Sequence, residues 1–325
     1  MQFSRRSLLA AIAMASCLIA FHSSRAQGYP VQPVRVLVPY VPGGLPDTVA
    51  RIVAQKLTES LGQSFLVDNK PGAGGAVAAL TLAHAPADGY TLMVTDGSML
   101  AIQKFVNAKP VFDAEKDFAP VSLIGIAPLY LAVNANLKVN NLDDLIALAR
   151  AKPGMLSYGS SGIGSVHHLT AEAMNAALGV NIRHIPYRGS GQSVPAMIGG
   201  QVDMIFASPP ALMGFVLNGR AKLMAINAAR RSPQTPTIPA LAEKIPGFDF
   251  AFNVVMLAKP GIPASVVAKI NAEVTKIVKM PEVVEQLQKA GVDPVGASVQ
   301  QTETALHLES KRIGDAARLA NLKPE

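Results

Sequence analysis

Residues 34–62, VRVLVPYVPGGLPDTVARIVAQKLTESLG, set the tightest limit on what this chain can fold into. VRVLVPY (34–40) is apolar at nearly every position. That suits a strand covered on both faces, since a half-exposed strand alternates. TVARIVAQKLTESLG (48–62) places Val49, Ile52, Val53, Leu57 and Leu61 on one helical face, and Gly62 is the stop. The pattern then repeats. SFLVDN reads as a strand, PGAGGAVAALTLAHA as a turn and helix, and GYTLMVTD as a strand. This alternation predicts an α/β chain with a parallel, doubly wound sheet.

A second series starts near Pro128. LYLAVN, LSYGSS, NIRHIPY, DMIFAS and AKLMAINA read as strands, separated by helical segments such as NLDDLIALARA and SVHHLTAEAMNAALG. The proline-rich stretch 230–248 breaks the rhythm and reads as a connector. DFAFNVVMLAK is one more strand, and helices follow over 264–279, 281–290 and 299–320. The chain has 325 residues, half of them hydrophobic, enough for about two domains. The expected division is a first lobe from 27–127 plus 249–325 and a second from 128–248. The terminal helices are too few for a third domain and are expected to pack on the first lobe. The chain then crosses between lobes near 128 and near 249.

The N-terminus reads as a leader. Arg5 and Arg6 precede the apolar run SLLAAIAMASCLIAF, and Ser24 and Ala26 suit a cleavage site before Gln27. The run is too short for a membrane span, which needs roughly 20 residues. SRRSLL fits a twin-arginine signal as well as an ordinary secretory one. Cys17 is the only cysteine and lies inside this leader, so residues 27–325 can form no disulfide, thiolate nucleophile or cysteine metal site. A periplasmic location suits such a chain. Three of the charges behind the net +7 are Arg5, Arg6 and Arg25, which leaves +4 after the leader. No basic run interleaves with aromatics, so nucleic acid is not an expected partner.

Open α/β sheets bind ligands beyond the carboxyl ends of their strands. The loops expected there are rich in glycine and serine: VPGGLP after the first strand, DGS (96–98) after the third, then GSSGIGS (159–165) and RGSGQS (188–193). Such loops beside helix starts offer unpaired N–H groups and the positive end of the helix dipole, which suits an anion. No phosphate-binding P-loop is present, GAGGAV departs from the dinucleotide pattern at Val77, and G-x-S-x-G is absent. His167 and His168 are adjacent, so on a helix they point apart, and no acid lies at ligand spacing; neither a metal nor a cofactor is expected. His168 is expected to hydrogen-bond a loop carbonyl or ligand, and His184 to bond within its strand.

Several segments are together distinctive: YPVQPVRVLVPYVPGGLPDTVARIVAQKL, LGQSFLVDNKPGAGG, ADGYTLM, LSYGSSGIGSVHHLTAE, IPYRGS, GGQVDMIF and RRSPQTPTIPALAE. Their order along the whole chain after the leader resembles the Bug (TctC-like) family, the extracytoplasmic solute receptors of tripartite tricarboxylate transporters. The resemblance implies a type II periplasmic-binding-protein fold, two lobes joined by a hinge that close on a small carboxylate. It also implies a membrane permease as partner, and a monomeric receptor that is not an enzyme.

The site residues implied are Tyr40, Val41, Gly43, Gly44, Leu45, Asp47 and Ser98 in the first lobe. In the second they are Ser160, Ser161, Gly162, Gly164, Ser165, His168 and Asp203. Leu45 and Pro46 depart from the hydroxyl-bearing family loop, so this jaw is expected to be apolar and poor in donors. FNVVMLAKPG departs as well, at Asn253, Val255 and Lys259. Asp203 admits two readings, a ligand contact or a capping acid. Asp96 either points away from the ligand or answers a hydroxyl or positive group on it. Arg188 either pairs with a carboxylate or faces solvent. Two rival functions share the same sequence features: a receptor that signals to a membrane kinase, and an exported hydrolase using Ser161, His168 and Asp203.

Overall fold

The computed structural model describes residues 28–187, 189–319 and 322–324. The expected leader, 1–26, and Arg188 lie outside the described residues. Two mixed sheets organise the chain. The first has the order β11-β4-β10-β3-β1-β2, built from β1 (Val34–Val38), β2 (Phe65–Asn69), β3 (Thr91–Asp96), β4 (Ala119–Ala127), β10 (Phe252–Ala258) and β11 (Asp293–Pro294). The second has the order β7-β6-β8-β5-β9, from β5 (Tyr130–Asn134), β6 (Ser157–Ser160), β7 (Arg183–Pro186), β8 (Met204–Ala207) and β9 (Ala221–Ile226). The two orders are the same motif. Set aside the strand by which the chain enters each sheet from the other, β10 or β5, and in both the second strand, the first and the third lie side by side, followed by that entering strand and then the fourth.

That inserted strand corrects the expectation of purely parallel sheets. β10 runs antiparallel to β3 and β4, and β5 runs antiparallel to β8 and β9. Each is the first strand after the chain passes from one sheet to the other; only Pro128 and Leu129 separate β4 from β5. A strand that enters from the neighbouring sheet starts where its companions finish, so it runs against them. Buried Asn227 ties the two passages together. Its Oδ1 accepts from the Leu129 amide at 2.7 Å, and its Nδ2 donates to the Phe250 carbonyl at 2.8 Å.

Local chemistry explains the elements. In β1, Val34, Val36, Leu37 and Val38 are fully buried and only Arg35 reaches solvent, where it pairs with Asp68. Helix α1 spans Leu45–Leu61, three residues earlier than expected. Pro46 sits in its first turn, where the missing N–H costs nothing. Gly62 ends it at φ 70, a left-handed conformation that glycine adopts without strain. The remaining helices are α2 (Ala76–Ala83), α3 (Gly97–Val106), the short α4 (Ala114–Asp117), α5 (Leu142–Ala151), α6 (Val166–Leu178), α7 (Ser190–Ile198), α8 (Pro209–Leu217), α9 (Ala264–Ile277), α10 (Pro281–Lys289) and α11 (Val299–Leu319). Sequence analysis missed α3, α4 and β4. The last helix, α11, packs on α3, β4 and β10 of the first sheet and also reaches α6 beside the second.

Candidate ligand-binding site

The strand orders place β1 beside β3 and β6 beside β8. The loops at the carboxyl ends of these strands are the ones singled out in the sequence. After β1 the backbone passes through Val41, which is 63% exposed, and Gly43, at φ +89. Gly43 donates its N–H to Asp47 Oδ2 at 2.9 Å. Asp47 is buried and also receives Arg51 Nε at 3.1 Å and Asn69 Nδ2 at 2.9 Å. Burial alone would raise its pKa, but the bonds from Arg51, Gly43 and Asn69 hold it below the ordinary carboxylate range. Asp47 therefore shapes the loop that was expected to meet the ligand, through the Gly43 N–H. Leu45 is half-buried and packs on the core.

Asp96 resolves in favour of pointing away. It is buried, caps α3 by accepting the Met99 N–H at 2.9 Å, and receives the hydroxyls of Ser98 and Tyr40. Ser98, among the expected site residues, is buried and its hydroxyl donates to Asp96. Tyr40 is half-buried, and its hydroxyl too is spent on Asp96, so the residue offers the cleft only its ring. Behind Asp96 lies Glu309 of α11, buried against Gly97, where an added Cβ would collide with its carboxyl group. Glu309 accepts from Asn253 N and Asn253 Nδ2. Burial, and then the charge of Asp96, push its pKa up to about 8.

In the second sheet, the loop after β6 turns on Gly162, at φ +119. Its N–H donates to Ser160 Oγ at 3.0 Å, and its carbonyl accepts from Ser165 Oγ at 2.7 Å. Ser160 is fully buried and also bonds His184 Nε2 at 2.6 Å, so its hydroxyl stays inside the loop. Ser165 caps α6 through the His168 N–H. The Gly164 amide donates to His168 Nδ1 at 3.1 Å. Nδ1 of His168 therefore accepts from a loop amide, where a bond to a loop carbonyl was one of its two expected fates. Gly164 touches the first sheet's side, where an added Cβ would lie 2.6 Å from Val106 Cγ1 at the end of α3.

Sequence analysis missed three features here. The rings of His168 and His184 stack at 4.1 Å, and Tyr158 stacks on His184 at 4.9 Å. Burial lowers the His184 pKa and, with the nearby His184, takes His168 down to about 4. The third feature joins two helix starts: Ser161 Oγ lies 3.2 Å from Ser190 Oγ, the first residue of α7, and Ser190 lies 3.4 Å from His167 Nε2 in the first turn of α6. Burial takes His167 down to about 4, so a neutral ring stands there. Both α6 and α7 thus open onto Ser161, and two helix dipoles favour negative charge at one point. The serine-rich spelling of both loops was a visible signal, but their convergence was not.

Asp203 belongs to the other end of the sheet. Its Oδ2 accepts from Ser157 N at 2.8 Å and Ser157 Oγ at 3.1 Å, at the start of β6. The ligand loops lie at the far end of that strand, about 10 Å away at a strand's rise per residue. Of its two expected readings, these bonds match the capping acid. The Ser161, His168 and Asp203 set is dispersed for the same reason. Asp203→Ala is expected to lower the melting temperature by several degrees, the effect of leaving a Ser157 N–H unpaired at about 1–3 kcal/mol. Affinity for a bound acid, measured by calorimetry, should stay within twofold; a tenfold loss would return Asp203 to the site.

The chain is similar to known proteins over most of its length. The model of the tripartite tricarboxylate transporter family receptor, TctC, matches residues 49–322. Protein BugT of Bordetella pertussis is 33% identical over 300 residues, covering 92% of this chain and 92% of its own. The structure of R. palustris Rpa4515 with adipate superposes with a TM-score of 0.85 at 32% identity, covering 91% of this chain and all of that one. MatC from Rhodopseudomonas palustris with bound malate gives 0.74 at 28% identity, covering 90% and 99%.

Proposed function

We propose, because this chain belongs to the TctC family of tripartite tricarboxylate transporter receptors, that it captures an aliphatic dicarboxylate between its two sheets. It would act in the periplasm after removal of residues 1–26, as a monomer that delivers its ligand to a membrane permease of that class. The lobes are 27–127 with 249–325 and 128–248, and the two passages clamped by Asn227 form the hinge. One carboxylate sits where α6 and α7 open onto Ser161, held by the Ser161 hydroxyl and the first amides of both helices, with Gly162 setting the turn of the loop. That convergence is the observation that carries the reading. The other end of the ligand meets the β1 loop, at Gly43 and Gly44. Val41 and Ile163, 63% and 69% exposed, and half-buried Leu45 give the space between them an apolar lining. An unsubstituted carbon chain suits such walls; a hydroxyl would lose its water without gaining a donor or acceptor. The relative with adipate and the relative with malate mark the two ligand types to be told apart.

A thermal-shift series on residues 27–325 tests this. The probes are adipate, shorter and longer dicarboxylates, malate, citrate and aromatic acids. The chain has no tryptophan, so an added dye reports the melt. At about 100 times its dissociation constant a ligand stabilises by roughly 2.7 kcal/mol, a rise of about 5 °C. Adipate or a neighbour in length is expected to give the largest rise. A response confined to malate or citrate would refute the apolar lining, and no response to any acid would refute carboxylate capture.

A further inference from the structure

The outer face of α3 borders a cavity of about 930 Å³, closed by the segment 110–118 and by α11. Its floor is apolar, with Leu100, Phe112, Phe118, Leu257 and Leu306. Acids ring it: Asp113, Glu115, Asp117 and Glu303, against Lys104 as the lining lysine. Asp113 is answered by Lys116 at 2.8 Å, but Glu115 and Glu303 are exposed and form no ion pair among the described residues. Val111, 56% exposed, stands at the mouth. An acidic rim is unexpected on a chain that carries +4 beyond its leader. It complements a cationic partner with an apolar face.

The helix under this groove also touches both ligand jaws. Just before its first residue, the capping Asp96 holds Tyr40 of the β1 loop. At its last, Val106 abuts Gly164 of the β6 loop in the other lobe. A movement of the lobes must therefore shift α3 against the groove. We propose that this groove is where the membrane partner docks, through a lysine- or arginine-bearing segment with an apolar face, and that it distinguishes loaded from empty receptor through α3. The proposal rests on the transport reading above.

The test begins with a labelled amphipathic peptide of leucine and lysine, read by fluorescence anisotropy. The wild-type protein is expected to bind it at least tenfold more tightly than Glu115→Lys/Glu303→Lys at low salt, with the gap shrinking at high salt. Equal binding would overturn the proposal. For the partner itself, Cys17 lies in the expected leader, so Val111→Cys gives residues 27–325 a unique thiol for a photo-crosslinker. In proteoliposomes holding the cognate permease, crosslinking is expected from Val111→Cys and not from Leu217→Cys, at a site 80% exposed beside the second sheet. Crosslinks only between copies of the receptor would overturn the proposal in favour of self-association. Thermal shifts with the same acids keep the two readings apart. If wild type responds to an acid but Val111 never meets the permease, the groove fails alone; if no acid stabilises wild type, the transport reading fails first.

Discussion

Glu309→Gln is expected to flatten the stability of this protein on the alkaline side. In the folded chain, burial and then Asp96 raise the Glu309 pKa from 4.5 to about 8. Between those values the folded state holds a proton that the unfolded state has released, so raising the pH favours unfolding. The stability of the neutral form is fully present below pH 4.5 and is lost progressively up to about 8. Over that window the change is on the order of several kcal/mol. Glutamine keeps one of the two acceptor oxygens that Asn253 uses and cannot titrate.

Of the groups facing Glu309, Asp96 opposes its ionisation, the bonds from Asn253 and then the charge of Arg312 on the same helix favour it, and Tyr40 is itself held well above its ordinary pKa by burial and Asp96. On the acid side, His167 and His168 are both lowered to about 4, so stability is lost as pH falls from 6.5 towards that value. Wild type and variant share that loss, and it cancels in their difference. Melting temperatures from pH 4 to 9 should therefore coincide near pH 4 and separate by several degrees by pH 8, with the variant higher. Parallel curves would show that Glu309 ionises normally.

The partnership of Glu309 with Asp96 joins residues 213 positions apart, and nothing local in DGSML or HLESKR announces it. The same limit explains the other misses. β1 and α1 were legible because burial on both faces, a first-turn proline and a terminal glycine are written in consecutive residues. Strand direction is not, since VNVML-like apolar runs read the same parallel or antiparallel; β10 runs backwards because of where the chain enters the sheet. Asp203 shows a related ambiguity. Its place before β8 puts it at that strand's amino end, and the parallel pairing of β8 with β6 sets that end away from the loop after β6. Ser98 and Ser160 were recognised as loop serines, yet a hydroxyl's partner depends on the fold, and both point inward to Asp96 and His184. The glycines fared better. Positive φ at Gly43, Gly162 and Gly164 follows from tight loops that only glycine tolerates well.

Ser161→Ala combined with Gly162→Pro is accordingly the substitution expected to hurt ligand capture most. Proline fixes φ near −65°, whereas Gly162 holds +119, and it removes the N–H that Ser160 accepts. The Gly162 carbonyl, which accepts from Ser165 at the start of α6, would swing with it. Ser161→Ala alone removes one hydroxyl whose partner is Ser190, a loss of about 1 kcal/mol or several-fold in affinity. The double variant should lose at least 100-fold, read by calorimetry with the acid that gives wild type its largest thermal shift. The loop is at the end of β6 and not in the core, so circular dichroism should show the fold retained. An unchanged affinity in a folded double variant would mean that the converging starts of α6 and α7 do not hold the carboxylate, and the ligand would have to be sought along the β1 loop alone.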